Sequence, residues 1–308
     1  MNSNASRGYW PDDASPVDRV LIVNQSVSHH DISPLTRVVA RVDRLRDGEV
    51  HPAIISTGFP SVDRALGGGI RRGDLIVLGG DDGVGSSALA LAMALRIQPL
   101  TLLLTSEMHA ERAFERAVAM SARVSLDALR LGVVSDEERV RLASAAVALR
   151  DRAPVIDTLG DGGMDAVERA ADASPAPAVL IVDGLEALLS RDHSRFQPRD
   201  EALAYAVLSL KRLALARDAA VVCLAHLPAL DRHRHDRRPR LTDFGVRGAV
   251  GTHADVVLGL YREDLYDADL GVAGATELRV LKHRDGALAY VDLFFYAKWL
   301  RFEDVAEV

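Results

Sequence analysis

The sequence holds 308 residues, 48% apolar and 26% charged, which excludes a disordered chain and allows one large domain or two small ones. A net charge of −7 gives no broad basic surface for nucleic acid, although a ring that keeps a few phosphate contacts inside its pore escapes that argument. Cys223 is the only cysteine, which excludes an intramolecular disulfide and a multi-cysteine zinc site; no apolar run is long enough to span a bilayer, so no membrane partner and a cytoplasmic location are expected.

Residues 1–33 read as a polar tail with one short apolar run at Val20–Val23 that fits a strand. Met1–Ser15 is polar and mildly acidic and does not read as a signal peptide. From Pro34 a helical period begins. Leu35, Val38, Val39, Val42 and Leu45 fall on one face, and the pattern ends near Asp47-Gly48. Residues 34–50 are therefore a candidate linker helix. Packing on its own domain and docking on a neighbouring subunit both satisfy the stripe.

Over 51–308 strands and helices alternate. Leu75–Leu78 is a buried strand, followed by a glycine-rich turn and a helix over Ala88–Arg96. A strand at Leu100–Thr105 precedes helices at His109–Arg123, Ser125–Arg130 and Asp136–Arg150. A short strand at Val155–Asp157 and a helix at Met164–Ala173 follow. Val179–Asp183 is continuously apolar up to its last residue, as a central parallel strand should be. The helix Arg199–Arg217 leads into the strand Ala220–Ala225. After an arginine-rich loop come strands at Val256–Tyr261, Glu277–Lys282 and Tyr290–Phe295. This alternation predicts an α/β fold, a doubly wound sheet with helices on both faces.

The segment Gly79-Gly80-Asp81-Asp82-Gly83-Val84-Gly85-Ser86-Ser87 lies between a strand and a helix. A phosphate-binding loop there reads G-x-x-x-x-G-K-[ST]. Gly80 and Gly85 have that spacing and Ser87 fills the hydroxyl position, but Ser86 stands where the lysine belongs. Gly80, Asp81, Gly83, Gly85, Ser86 and Ser87 form the candidate cradle, whose backbone N–H groups and helix N-terminus would converge on an anion. Losing a charged hydrogen bond to phosphate costs roughly 1.5–3 kcal/mol, and Asp82 adds a carboxylate nearby. A glycine-rich turn with no ligand is the competing reading.

Six further stretches carry a resemblance. Ser56-Thr57-Gly58-Phe59-Pro60 through Gly67-Gly68-Gly69 resembles the entry to RecA-type domains of the DnaB and RadA families. Thr105-Ser106-Glu107-Met108-His109-Ala110-Glu111 resembles the DnaB segment with the catalytic glutamate, and Val179–Asp183 with Gly184-Leu185-Glu186 the Walker B strand. Arg238-Pro239-Arg240-Leu241-Thr242-Asp243, then Ala254-Asp255-Val256 and Tyr261-Arg262, is similar to the late DnaB motif. Lys282-His283-Arg284-Asp285-Gly286 resembles the segment with a lysine and an arginine finger, and Arg301-Phe302-Glu303 the family's ending. The order is kept from Pro34 to Asp304.

The resemblance implies a RecA-like P-loop NTPase with a mainly parallel sheet and antiparallel C-terminal strands. It implies ATP and Mg²⁺ as cofactors, single-stranded DNA as a partner, and a ring of identical subunits, a hexamer. The helical domain that engages primase in replicative DnaB has no expected counterpart. By the same resemblance Glu107 would activate the attacking water, and Ser87 and, through water, Asp183 would hold Mg²⁺. His226 would sense the γ-phosphate, a place where a structural histidine is an equal reading. Lys282 and Arg284 would reach a neighbour's nucleotide, against the alternative of a solvated strand end. At the DNA loop Gly245 and Val246 replace the family's arginine and glutamate, while Gly248 keeps its glycine; Arg247, Gly248 and Arg238 are the remaining candidates for DNA contact. The expected function is a DnaB-like ATP-driven helicase or translocase. A degenerate ring that binds nucleotide and acts through partners, and a RadA- or KaiC-like ATPase, are the alternatives.

Overall fold

The computed structural model describes residues 33–97, 100–189, 198–231, 233–267 and 272–305, in two compact units that divide after Pro52. The run Val20–Val23 lies outside the described residues. The first unit contributes helix α1 (Pro34–Arg46). The Ser33 hydroxyl accepts from Thr36 N at 3.2 Å, Pro34 occupies the first turn, and Arg44 and Arg46 sit at the end where the helix dipole favours cations. Leu35, Val38 and Val42 of the predicted stripe are exposed.

The second unit opens with a two-stranded antiparallel ribbon, β1 (Ile54–Ile55) and β2 (Ile70–Arg71), around the short helix α2 (Pro60–Ala65). Two-residue strands carry no period, so these were not among the predicted elements. Then come β3 (Leu75–Gly80), α3 (Ser86–Arg96), β4 (Thr101–Thr105), α4 (Ala110–Ala122), α5 (Leu126–Leu131), α6 (Asp136–Arg152) and β5 (Val155–Thr158). They are followed by α7 (Gly163–Ala173), β6 (Val179–Asp183), α8 (Arg199–Arg217), β7 (Ala220–Ala225), α9 (Ala249–His253) and β8 (Val256–Tyr261). The last elements are β9 (Ala275–His283), β10 (Ala289–Tyr296) and β11 (Arg301–Asp304).

Among the described residues nine strands form one sheet in the order β11-β10-β9-β8-β3-β7-β6-β4-β5. β8, β3, β7, β6, β4 and β5 run parallel, and β9, β10 and β11 extend the sheet antiparallel, as the RecA-like expectation requires. Every residue of β3, β4, β6, β7 and β8 is buried, which is why these strands read as unbroken apolar runs. Alternate residues feed two cores. Ile76 and Leu78 pack with α3 and α4, whereas Leu75 and Val77 pack with α7, α8 and α9. Cys223 is fully buried in the second core, and burial pushes its thiol far above the ordinary range, so it acts as a small hydrophobe.

β11 was legible only as a family ending. It pairs with β10, and the rings of Phe295 and Phe302 meet at 4.6 Å. Arg96, on the last turn of α3, donates to Phe302 O at 2.8 Å and to Glu303 Oε2 at 3.0 Å. The last strand is thereby tied to the helix that follows the candidate phosphate loop.

Candidate nucleotide site

β3, β7, β6 and β4 are consecutive neighbours, and the chain leaves all of them at the same edge of the sheet. The residues that follow their C-terminal ends therefore meet, as ligand groups do in open α/β sheets. Gly80, Asp81, Gly83, Gly85, Ser86 and Ser87 line one cavity of about 510 Å³ together with Glu107, Asp183 and His226. The loop needs its glycines for room. A Cβ on Gly80 would lie 2.5 Å from Val84 Cγ1, and Gly85, at φ +104°, would press a Cβ to 3.1 Å from Phe302 Cζ. Ser86 occupies the first position of α3, so its hydroxyl stands where a lysine side chain would begin.

The Ser87 hydroxyl donates to Asp183 Oδ1 at 3.0 Å. Burial, then the charge of Glu107, pushes the Asp183 carboxyl up to about 6; the Ser87 hydrogen bond and the charges of Arg116 and His226 oppose that rise. His226 stands between two carboxylates, with Nδ1 3.5 Å from Asp82 Oδ1 and Nε2 3.7 Å from Glu107 Oε1. Ser106 Oγ donates to Asp183 O at 2.9 Å and so joins the ends of β4 and β6.

Two residues of the site were missed from sequence. Arg116 lines the cavity from α4; burial depresses its pKa, and its Nε has no partner among the described residues. The signal was available: Arg116 falls within the stripe of Ala113, Ala117 and Met120, which is otherwise buried and apolar. Tyr266 donates to Asp81 Oδ2 at 3.0 Å and stacks on Tyr261. No sequence period links it to a loop so far upstream. The cavity thus presents Asp81, Asp82, Glu107 and Asp183 against the arginine of Arg116. Ser87 and Asp183 offer the hard oxygen donors that suit Mg²⁺. No group of three or more His, Cys, Asp or Glu side chains among the described residues is arranged to hold a metal alone.

Lys282 and Arg284 are not at this cavity. Lys282 lies near the end of β9 and Arg284 just after it; β9 is antiparallel to β8, with His283 opposite Val256 at the start of β8. They therefore sit at the opposite edge of the parallel strands. Lys282 Nζ donates to Gly251 O and Ala254 O, and Arg284 Nε donates to Asp255 Oδ1 at 2.6 Å. Asp255, 3% exposed, also accepts from Leu75 N at 2.8 Å and Lys211 Nζ at 2.6 Å.

The DNA candidates are spread over the loop before α9. Arg247 Nη1 pairs with Glu201 Oε1 at 2.5 Å, while Gly245 and Gly248 take the positive φ that glycine tolerates. Arg238 grips Glu277 with two bonds, 2.8 and 2.5 Å, and lies over the Tyr261 ring; its guanidinium is committed within the chain.

No helix among the described residues is long and apolar enough to cross a membrane. The chain is 27% identical over 264 residues to the replicative DNA helicase DnaB of Geobacillus stearothermophilus, covering 83% of this chain and 57% of that protein. It is 28% identical over 293 residues to the replicative DNA helicase DnaB of Leifsonia xyli subsp. xyli, covering 90% and 63%. The chain therefore spans between 57% and 63% of the length of these relatives. A solved DnaB-like replicative helicase, described with its interactions with primase, matches at TM-score 0.78 and 20% identity over 94% of this chain and 71% of that one, a likeness of fold. The family described as DnaB-like helicase C terminal domain matches residues 54–304, from β1 to β11, and the chain belongs to that family.

Proposed function

We propose that the protein is a cytoplasmic ATP-driven motor acting on single-stranded DNA, a helicase or translocase of DNA replication or related DNA metabolism, assembled as a hexameric ring. The observation that carries this reading is the gathering of the phosphate loop, Glu107, Asp183 and His226 around one cavity, with Ser87 and Asp183 3.0 Å apart. Bound ATP supplies a γ-phosphoryl group whose transfer to water releases the free energy for movement. The backbone of Gly80, Asp81, Gly83, Gly85 and Ser86 would cradle the phosphates. Ser87 and, through water, Asp183 would hold Mg²⁺; with its carboxyl at about 6, Asp183 is largely ionised at neutral pH. Glu107 would orient water and take its proton, and His226, 3.7 Å away, would respond to the charge beyond it. Arg284, at the far edge, would serve a neighbouring subunit's nucleotide. Arg247 and the Gly248 backbone would meet the DNA strand; Arg238 would join them only by releasing Glu277.

ATP turnover with and without single-stranded DNA tests this. DNA should stimulate the wild type, and Glu107→Ala should lower turnover by about 10²–10⁴-fold with nucleotide binding retained. A second reading rests on Ser86 and the four carboxylates of the cavity: a degenerate ring ATPase that binds nucleotide weakly and acts through partners. Nucleotide binding without any turnover by the wild type would favour it.

The ring is tested separately. The exposed Leu35, Val38 and Val42 of α1 would be buried on the next subunit, each contributing roughly 1.5–3 kcal/mol if fully covered. Deleting residues 1–47 should leave a folded monomer by light scattering, while the full chain runs as a hexamer. A full chain that stays monomeric at high concentration, with or without Mg-ATP, removes the ring and Arg284's role in it.

A further inference from the structure

Lys282 is engaged within its own chain. Its Nζ donates to Gly251 O at 2.7 Å and Ala254 O at 2.6 Å, so two of its three N–H donors go to carbonyls at the end of α9. Carbonyls there have no partner within the helix, so withdrawing the ammonium would strand both. The next residue, Asp255, holds Arg284 twice. Arg284 N donates to Asp255 O at 2.8 Å, and Arg284 Nε donates to Asp255 Oδ1 at 2.6 Å. That bond uses Nε alone on a half-exposed side chain, which leaves the terminal Nη pair available. Asp255 is itself fixed, because Oδ2 accepts from Leu75 N at the start of β3 and from Lys211 on α8.

α9 begins directly after the loop 245–248. In that loop Val246 and Arg247 are held at φ +50° and +49°, a region that non-glycine residues occupy only when their surroundings impose it. The path from loop to finger is short and has no slack: five residues of helix, two charge-assisted bonds to Lys282, and two residues of chain to Arg284.

We infer that Lys282 and Asp255 are positioning residues that clamp the Arg284 turn to the end of α9, so that a change in the loop 245–248 is carried to the guanidinium offered to a neighbouring subunit. This rests on the proposed reading of Arg284 and of that loop. It gives Lys282 a task beside the phosphate contact that the family resemblance implies.

Hydrogen exchange on the full-length protein tests the clamp without requiring catalysis. Lys282→Met keeps the aliphatic stem and removes the donors; Lys282→Gln keeps a shorter donor for the same carbonyls. In Lys282→Met the amides of 283–286 and of 252–255 should exchange about tenfold faster or more, in Lys282→Gln by less, while β3 and β7 exchange as in the wild type. A single-stranded oligonucleotide should alter exchange at 245–254 and 283–286 together in the wild type, and at 245–254 alone in Lys282→Met. Unchanged exchange at 283–286 in Lys282→Met overturns the clamp. So does acceleration spread evenly over the sheet in both variants, or a response of 283–286 to oligonucleotide that survives in Lys282→Met. If the wild type neither responds to oligonucleotide nor turns over ATP, the motor reading fails; the ligand-free difference between wild type and Lys282→Met still decides the clamp.

Discussion

Asp183 and Asp255 stand at opposite edges of the same parallel strands and are equally withdrawn from water, 5% and 3% exposed. Asp183 accepts one described side-chain hydrogen bond, from Ser87, faces Glu107, and has its carboxyl pushed up to about 6. Asp255 accepts from Leu75 N, Lys211 Nζ and Arg284 Nε. Burial alone therefore does not set a carboxylate's role; the number of donors around it does. A buried carboxylate short of donors is where a cation can enter, whereas one fully supplied is structure. The supply at the second edge is not complete for every neighbour. Burial and the charge of Asp255 push Asp74 up to about 6 as well, against the pull of Lys211.

The sharpest way to break this contrast is to remove the satisfied carboxylate. Asp255→Ala strands Leu75 N and the Arg284 Nε bond and takes the nearest carboxylate from Lys211, which keeps Gly73 O at 2.7 Å, and should cost about 3–5 kcal/mol in chemical denaturation. A loss below about 1 kcal/mol would mean that the donors find water and that the two edges do not differ in kind.

The unsatisfied carboxylate should respond in the opposite sense, and with pH. Folded Asp183 keeps its proton up to about 6, against an ordinary value of 3.8 in the unfolded chain. Its contribution to stability is therefore fully present below about pH 4 and is lost as pH rises through about 6. Asp183→Asn, which can still accept from Ser87, should gain roughly 2–3 kcal/mol at pH 8 and nothing near pH 4. Asp74→Asn should show the same sign, without the change in Mg²⁺ dependence expected at Asp183. A gain independent of pH would remove the electrostatic explanation.

The smallest expected effect sharpens the cavity's own account. Ser86→Lys should strengthen Mg-ATP binding by about 1.5–3 kcal/mol, roughly ten- to hundredfold in Kd, as an ammonium meets the phosphates and offsets Asp82. Titration calorimetry on both proteins reads it directly. Equal affinities would show that Arg116 already supplies the missing charge, or that nucleotide binds elsewhere.

Much of this was legible in the sequence wherever one physical signal dominated. β3, β4, β6, β7 and β8 are buried on both faces, so they stood out as apolar runs, and Asp183 stood out as a charge ending one. α6 starts at Asp136 as the sequence reading placed it, and the structure caps that start reciprocally with Ser135 and Glu138. What stayed hidden depends on contacts between distant segments. Arg116 faces the cavity only because α4 packs beside β5 and α3, and Tyr266 reaches Asp81 across 185 residues of chain. The two-residue β1 and β2 are too short to show a period. Lys282 could be assigned only by resemblance, because nothing in its neighbours reveals the two carbonyls that hold it.

The ring of Phe302 lies where a Cβ on Gly85 would press, and it belongs to the last strand of the sheet. The candidate phosphate loop is thus finished by residues more than two hundred positions downstream of it. A nascent chain whose synthesis has not reached Phe302 can form β3 and α3, but it has nothing behind the turn that joins them and no Phe302 carbonyl or Glu303 carboxylate for Arg96. The proposed nucleotide would then give little help to the protein's folding while it is being made. On the proposed function, that help would come only to chains translated through β11, and a prematurely terminated copy lacking that strand would be poorly equipped to occupy a place in the proposed ring with an empty site.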